Sequence, residues 1–297
     1  MILYIKRNCL DDGPGIRTTV FFKGCPLSCA WCHNPESKKA AAELSYNEHQ
    51  CIGCGACAET CGQSAIGPGV PFFVDRVKCS TCFECAAVCP SGALERLGGV
   101  IGMKEILEAI ERDIPFFRTS GGGVTLSGGE PTLYMDFASK LLVECKKLGV
   151  STLLETCAHF DFDKFRANML ENLDMIFADI KLISNEAHLQ YCGISNGRIL
   201  GNFRELGKIA AAGEKMVLPR IPLAPGITDT DENLSGIAEF LAECGFKRVA
   251  LLPYNPTWLG KPGMVGAMAA YAADKWMRPE EIERCRSHFG AFDLSAR

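Results

Sequence analysis

The stretch Phe21–Ser37 reads FFKGCPLSCAWCHNPES and spaces three cysteines, Cys25, Cys29 and Cys32, as C-x3-C-x2-C. It overlaps Thr18–Gly24 (TTVFFKG), an apolar, β-branched run that predicts a strand ending just before the first cysteine. Three thiolates in one loop can hold three irons of an iron–sulfur cube and leave the fourth iron open, as a catalytic zinc keeps one open position. A cysteine elsewhere in the chain could instead supply a fourth ligand.

The rest of the chain alternates between apolar, strand-like runs and segments of helical periodicity. The predicted strands are Thr18–Gly24, Gly123–Gly129, Val150–Thr156, Met175–Lys181, Lys215–Leu223 and Arg248–Tyr254. The predicted helices are Met103–Asp113, Met135–Lys147, Asp163–Leu170, Arg198–Ala212 and Asp229–Cys244. Near-continuous apolar strands that alternate with helices are typical of a parallel sheet covered by helices. The predicted fold class is therefore α/β, a partial (β/α)6 TIM-like barrel.

Cysteine, glycine and polar or charged residues follow the carboxyl ends of these strands, where the active sites of parallel α/β barrels lie. They are Cys25, Ser127, Gly128, Gly129, Glu130, Glu155, Thr156, Asp179, Lys181, Arg220 and Asn255. Their common position predicts an active site at this edge of the sheet.

Two further cysteine runs, Cys51–Cys61 (CIGCGACAETC) and Cys79–Cys89 (CSTCFECAAVC), share the spacing C-x2-C-x2-C-x3-C at a constant offset of 28 residues. The duplication matches two-cluster bacterial ferredoxins, in which the fourth cysteine of each run ligates the other cluster. On that pattern the two [4Fe-4S] ligand sets are Cys51, Cys54, Cys57 and Cys89, and Cys79, Cys82, Cys85 and Cys61. We expect a ferredoxin-like insertion at 49–98 within a barrel formed by 1–48 and 99–297. Zinc, which also uses paired C-x2-C units, is the alternative.

Composition narrows the class of protein. The 297 residues are 47% hydrophobic, enough for one large domain with or without a small one. The net charge of −4 gives no sign of nucleic-acid binding, and no apolar run approaches the roughly 18 residues of a membrane helix. The N-terminal MILYIKRN is unlike a signal peptide, so we expect a cytoplasmic protein with neither nucleic acid nor membrane as a partner. The 17 cysteines favour metal ligation over disulfides.

Three motifs carry a family resemblance: Asp12–Ser37 (DGPGIRTTVFFKGCPLSCAWCHNPES), Ser127–Leu133 (SGGEPTL) and Leu251–Asn255 (LLPYN). Together they resemble the radical S-adenosylmethionine (SAM) superfamily and, within it, the glycyl radical enzyme activating enzymes, to which pyruvate formate-lyase activating enzyme belongs. The double cysteine insertion is similar to that of the activases for dehydratases, decarboxylases, lyases and fumarate-adding synthases. The resemblance implies reductive cleavage of SAM to a 5′-deoxyadenosyl radical, which abstracts a Cα hydrogen from a glycine of a partner glycyl radical enzyme.

The same resemblance assigns roles to individual residues. SAM contacts are implied for Trp31, His33, Gly128, Gly129, Glu130, Ile180, Lys181, Leu182, Arg220 and Asn255. The residues Glu155, Thr156 and Asp179 resemble a monovalent-cation site, although Glu155 stands where pyruvate formate-lyase activating enzyme has Asp. Asp179 and Lys181 could also be a plain ion pair at a strand end. Asp12 and Arg17 resemble a signature that recognises the glycyl loop, or they belong only to a Pro-Gly turn.

The implied cofactors are three [4Fe-4S] clusters with SAM as cosubstrate, and the implied electron donor is flavodoxin or ferredoxin. The insertion is expected to relay electrons, or else to stabilise the fold or dock the partner. Two rival functions remain open: a radical SAM enzyme for a small molecule, and a ferredoxin-type electron carrier. A ferredoxin-type carrier would need only the insertion, and the many candidate site residues at the edge of the barrel argue against it. The short C-terminal portion favours a wide barrel mouth, which suits a protein loop as substrate.

Overall fold

The computed structural model describes residues 1–294 as a seven-stranded sheet and a separate two-stranded sheet. The strands are β1 (Ile2–Cys9), β2 (Arg17–Phe22), β3 (Glu43–Tyr46), β4 (Leu94–Leu97), β5 (Gly123–Gly128), β6 (Ser151–Thr156), β7 (Met175–Asp179), β8 (Met216–Pro222) and β9 (Ala250–Leu252). The large sheet has the strand order β1-β2-β5-β6-β7-β8-β9. Its first pair is antiparallel, and every following pair is parallel.

The six predicted parallel strands are confirmed as β2 and β5 to β9. The seventh strand, β1, was not predicted, because its second half carries Lys6 and Arg7 and does not read as an apolar strand. Both side chains are exposed on this edge strand, where charge discourages pairing with another chain. The strand order is linear, so β1 and β9 form the two edges of an open sheet.

The helices are α1 (Ala56–Thr60), α2 (Glu84–Ala87), α3 (Met103–Ser120), α4 (Met135–Lys147), α5 (Phe162–Asn168), α6 (Asn185–Cys192), α7 (Gly197–Ala211), α8 (Asp231–Glu243), α9 (Lys261–Met264) and α10 (Pro279–Ser287). Helices α3 to α8 lie in the connections between the parallel strands, α1 and α2 lie between β3 and β4, and α9 and α10 follow β9. The five predicted helices correspond to α3, α4, α5, α7 and α8. In contrast, α6 was missed because it buries only His188 and Cys192 and so has little apolar periodicity. No helix within residues 1–294 has the length and apolar character needed to cross a membrane.

One large hydrophobic core joins the helices to the sheet. The apolar stripe of α3, formed by Ile106, Ile110 and Phe117, packs in this core, as does the fully buried strand β2. A smaller cluster, which includes Leu153 and Phe177, is separate from it. The two clusters hold the parallel strands in register, and the strand ends are thereby fixed relative to one another.

The predicted insertion carries its own small core. Strands β3 and β4 pair antiparallel and frame α1 and α2, and five buried residues form the centre of the core: Leu44, Ile66, Val74, Cys85 and Leu94. The separate sheet begins at Glu43, six positions before the predicted boundary at residue 49. The boundary prediction missed this strand because the cysteine repeat, on which it rested, begins only at Cys51.

Candidate active site

A cavity of about 420 Å³ opens at the carboxyl ends of the parallel strands. Most of the predicted site residues line it: Cys25, Cys29, Trp31, Cys32, His33, Gly128, Gly129, Glu155, Thr156, Asp179, Lys181, Arg220 and Asn255. They lie on or just after six different strands, so the parallel sheet alone brings them together.

Three predicted contacts, Glu130, Ile180 and Leu182, do not line the cavity. Glu130 is fully buried, and its carboxylate accepts hydrogen bonds from the Thr156 hydroxyl (2.9 Å) and the Cys157 backbone amide (2.8 Å). The carboxylate therefore stabilises the loop after β6, and the contact with SAM implied for Glu130 stays a prediction. The side chains of Ile180 and Leu182 belong to the main core, and the contact with SAM implied for these two residues, which is through the backbone, stays a prediction.

The loop with Cys25, Cys29 and Cys32 rests against the carboxyl end of α6. The backbone amide of Ser28 donates a hydrogen bond to the carbonyl of Cys192 (2.8 Å). A hydrogen bond with the Cys192 thiol lowers the pKa of Cys29, although burial opposes this. A lower pKa favours the thiolate, which is the form that ligates iron. Three thiols on one cavity wall, one of them predisposed to ionise, fit an iron–sulfur cube with one open iron.

Two cysteines outside the loop could be considered as a fourth ligand. Cys157 lines the cavity with its thiol beside that of Cys25, and burial raises its pKa as it raises that of Cys32. Cys9 lies in β1 away from the cavity, with its thiol donating to the carbonyl of Lys6 (3.5 Å).

Two glycines form a cradle with no room for side chains. Gly128 has φ = 103°, and a Cβ there would lie 2.5 Å from the Phe22 backbone nitrogen. A Cβ on Gly129 would lie 2.1 Å from the carbonyl oxygen of Gly24. Only glycine permits this backbone, which passes close to the cysteine loop and lines the cavity.

Four charged side chains form a chain across the cavity floor. The Arg220 guanidinium donates from Nη1 to Glu155 Oε1 (2.5 Å) and from Nε to Asp179 Oδ1 (2.9 Å), and Lys181 Nζ lies 3.0 Å from Asp179 Oδ2. Burial alone would raise the pKa of Asp179, but the charges of Arg220 and Lys181 hold it below its usual value. Glu155 faces one cation only, so burial prevails and raises its pKa.

This chain of charges bears on the predicted cation site. The carboxylates of Glu155 and Asp179 are both paired with Arg220, and the Thr156 hydroxyl donates to Glu130 instead of facing them. Within residues 1–294, no three His, Cys, Asp or Glu side chains converge as the ligands of a single metal ion would. This finding does not bear on an iron–sulfur cube, because a cube spreads its ligands over separate irons. The three predicted cation ligands line the cavity but do not converge.

The rings of His33, Tyr254 and Trp258 pack together beside the cavity. The His33 ring stacks on Trp258 (centroids 5.9 Å apart) and meets Tyr254 edge-on (5.7 Å). The Trp258 indole N–H donates to the Tyr254 hydroxyl (3.0 Å), and Asn255 lines the cavity beside them. Sequence reasoning singled out His33 and Asn255 but missed the two aromatic residues. Tyr254 could have been found, because it stands inside the LLPYN motif.

Asp12 and Arg17, which were predicted to act together, lie in different surroundings. Arg17 is fully buried, where its guanidinium donates to the Thr125 hydroxyl (2.6 Å) and the Val124 carbonyl (2.7 Å). A side chain in this position cannot touch a partner protein, so the recognition role predicted for Arg17 is wrong. Asp12 and its neighbour Asp11 do line the cavity.

Seven of the eight insertion cysteines lie near partners predicted for them. The set Cys61, Cys79, Cys82 and Cys85 lines a second cavity of about 180 Å³. In the other set, the thiols of Cys51 and Cys89 are close enough to Cys57 to contribute to the raised pKa of that thiol, which burial dominates. Cys54, the fourth member of that set, is exposed, and the two ligand sets stay a prediction.

Comparison with known proteins agrees with this site. The model of the radical SAM superfamily matches residues 19–241. The indoleacetate decarboxylase activating enzyme of Tractidigestivibacter scatoligenes is 38% identical over 280 residues, covering 90% of this chain and 87% of that protein. The isethionate sulfite-lyase activating enzyme of Desulfovibrio desulfuricans is 40% identical over 261 residues, covering 86% and 83%.

A solved structure shows the same fold. SuiB of Streptococcus suis, bound to its precursor peptide SuiA, superposes with a TM-score of 0.51 at 13% identity, covering 88% of this chain and 43% of SuiB. The site geometry, the superfamily match and the relatives agree. This chain belongs to the radical SAM superfamily and, within it, to the glycyl radical enzyme activating enzymes.

Proposed function

We propose that this chain cleaves SAM in the 420 Å³ cavity and uses the 5′-deoxyadenosyl radical to abstract a Cα hydrogen from a glycine of a partner enzyme. One observation carries the proposal: the three loop thiols and the glycine cradle Gly128–Gly129 line the same cavity. Its volume lies in the lower part of the range for one small ligand.

The cavity residues bind and orient the cosubstrate. When bound, a reduced cluster supplies the one electron that cleaves the sulfonium C–S bond. Lys181 and Arg220 offer positive charge to the methionyl carboxylate, while the backbone at Gly129 lets the methionyl group approach closely. The ring of His33 and the amide of Asn255 offer an apolar face and hydrogen bonds to the adenosine. These contacts position the reacting carbon and exclude water.

We further propose that the insertion holds two [4Fe-4S] clusters, for three in total, and that flavodoxin or ferredoxin supplies the electron. The grouping of seven of its eight cysteines as predicted supports this. Anaerobic reconstitution should then give about twelve iron atoms per chain. The variant with all eight insertion cysteines replaced by alanine should retain about four. Stoichiometric zinc with little iron in the unchanged protein would contradict the proposal.

The partner is proposed to be a glycyl radical enzyme. The two relatives above are named for a decarboxylase and a sulfite-lyase and have nearly equal identity to this chain, so identity does not select one partner. The test therefore uses a panel of glycyl radical enzymes that includes these two kinds.

The experiment is electron paramagnetic resonance of the anaerobic, reconstituted protein with dithionite, SAM and each partner in turn. A glycyl doublet should form in one partner and not in mixtures without SAM. The control variant is Cys285→Ala, which should give the same doublet as the unchanged protein, since Cys285 is buried in α10 and lies outside the cavity. Formation of 5′-deoxyadenosine with every partner but a radical in none would favour a small-molecule substrate instead.

A further inference from the structure

The backbone just after β7, residues 181–183, is held by two almost fully buried asparagines. We call this segment the β7 loop. Asn196 is 3% exposed, and its Nδ2 group donates to the Leu182 carbonyl (3.1 Å) and the Ile183 carbonyl (2.8 Å). The loop begins at Lys181, which lines the cavity. One asparagine therefore fixes two of the three carbonyls of a segment that carries a cavity residue.

The second asparagine joins the β7 loop to the loop after β8. Asn233 lies in α8 and is 5% exposed. Its Oδ1 accepts from the Ile183 amide (2.9 Å), and its Nδ2 donates to the carbonyls of Lys181 (3.1 Å) and Thr228 (2.8 Å). The Thr228 hydroxyl in turn donates to the carbonyl (2.6 Å) of Pro222, a residue that lines the cavity. Asn233 therefore links the backbones of two neighbouring cavity loops.

Helix capping does not account for the side chain of Asn196. This residue stands at the N-cap of α7, where asparagine usually accepts a hydrogen bond from a backbone amide of the first turn. Within Gly197–Ala211, its side chain caps no amide. Its own backbone amide donates to Asn185 Oδ1 (3.2 Å), which also accepts from the Ser195 hydroxyl (2.7 Å). The Asn196 side chain therefore holds the β7 loop and does not cap the helix that follows it.

A third buried asparagine makes the same kind of bonds elsewhere. Asn202 lies in α7 and is 5% exposed, and its Nδ2 donates to the carbonyls of Ala158 (2.8 Å) and Phe160 (2.8 Å). Neither of these two residues lines the cavity. Asn196 and Asn202 are thus alike in burial and bonding, and they differ in whether the backbone that they hold carries a residue proposed to bind SAM.

We propose that Asn196 and Asn233 are positioning residues for SAM, because they hold the backbone from which Lys181 reaches the methionyl carboxylate. This inference rests on the proposed function. The ion pair between Lys181 Nζ and Asp179 Oδ2 (3.0 Å) restrains only the end of the lysine side chain. The asparagines restrain its backbone, since buried carbonyls that lose their donors must find other partners. Loss of either asparagine should therefore move the ammonium away from the position that binds SAM.

The first test measures the SAM dissociation constant of the anaerobic, reconstituted holoenzyme by calorimetry. Asn196→Ala should weaken SAM binding about tenfold, because a displaced ammonium loses its contact with the carboxylate. Asn202→Ala also leaves two buried carbonyls without their donor, and it should change SAM binding less than about twofold. Equal weakening by both changes, or unchanged affinity in Asn196→Ala, would overturn the inference.

A second variant separates positioning of the loop from stability of the helix. Asn196→Ser keeps a residue favoured at the N-cap of α7 but removes the amide that reaches the two carbonyls. Its Tm should lie closer to that of the unchanged protein than the Tm of Asn196→Ala does, yet it should bind SAM as weakly as Asn196→Ala. Recovery of native SAM affinity in Asn196→Ser would show that this position acts only on the helix, and the inference would be wrong.

A double-mutant comparison tests whether Asn196 acts through Lys181. Lys181→Met removes the ammonium, so adding Asn196→Ala to this variant should weaken SAM binding less than about twofold further. A further loss of about tenfold, as expected for independent sites, would contradict action through Lys181.

Amide hydrogen exchange of the holoenzyme without SAM reports on the β7 loop directly. Asn233→Ala removes the acceptor of the Ile183 amide, which should then exchange at least about tenfold faster, whereas Asn202→Ala should leave its exchange unchanged. Unchanged exchange in Asn233→Ala would contradict the role given to this residue. Neither SAM binding nor exchange requires radical formation. If the unchanged protein binds SAM but forms no 5′-deoxyadenosine with dithionite, the proposed function fails, while these measurements still decide the positioning role.

Discussion

The barrel loop and the insertion both carry clustered cysteines, but the two groups of cysteines differ in how much of the surrounding protein is buried. Cys29 is 8% exposed and belongs to the main hydrophobic core, and its loop is hydrogen bonded to the end of α6. In the insertion, Cys54 and Cys82 are exposed, and the core behind the two sets has only five fully buried residues. The large core therefore positions the barrel thiols, whereas the small core leaves the insertion thiols to depend on the clusters proposed for them.

The largest expected effect is on the barrel loop itself. Cys29→Ala should abolish 5′-deoxyadenosine formation, measured by chromatography after anaerobic incubation with dithionite and SAM, because the open-iron cluster loses one of three ligands. Cys285→Ala removes an equally buried thiol in α10 and should retain activity. Retained activity in Cys29→Ala would show that another residue supplies the ligand.

Removal of iron should affect amide hydrogen exchange in the insertion much more than in the barrel. Without metal, amide hydrogen exchange in the insertion should become at least about a hundredfold faster, because its small core cannot offset the entropy of ordering the chain. The strands β5 to β8 should keep their protection, since their core needs no metal. Equal loss of protection in both regions would contradict the comparison.

A methyl group in the glycine cradle should be costly for the barrel edge. Gly129→Ala places a Cβ 2.1 Å from the Gly24 carbonyl oxygen, so the backbone of the cradle must shift. We expect a loss of about 2 kcal/mol or more in the free energy of unfolding, together with weaker SAM binding. Gly201→Ala in α7 is the matched control. It meets no atom within 4 Å and should be neutral or stabilise the helix by up to about 1 kcal/mol.

The smallest expected effect concerns monovalent cations. Because the Arg220 guanidinium already pairs with Glu155 and Asp179, exchanging K⁺ for choline at constant ionic strength should change the SAM dissociation constant less than about twofold. Glu155→Asp shortens the arm that reaches Arg220, and its affinity for SAM is measured in both salts. A strong K⁺ requirement in the unchanged protein would show that a cation displaces the guanidinium.

Much of the site was predictable because cysteine spacing and strand ends are local properties of the sequence. The C-x3-C-x2-C loop after β2 and the charged residues after β6, β7 and β8 meet in one cavity, as the parallel-sheet pattern predicts.

Side-chain direction could not be derived from the sequence, because it depends on distant neighbours. The Glu130 carboxylate, for which a SAM contact was implied, accepts buried hydrogen bonds from the Thr156 hydroxyl and the Cys157 amide. Arg17 was expected to meet a partner, but it lies buried against Thr125 of β5. A buried charge must find partners inside the fold, and the sequence does not reveal which partners are within reach.

The class of chemistry could be derived from the residues alone, since ligand type and spacing along the chain decide which metal cluster can form. The α/β architecture could be derived in the same way, because hydrophobic periodicity is set residue by residue. The packed fold was needed to show that Arg220 joins Glu155 to Asp179, that Lys261 contacts the cysteine loop at His33, and that Arg76 contacts Met264. Those contacts join residues far apart in the chain, and they exist because the packed core brings the strand ends and the segment after β9 to one place.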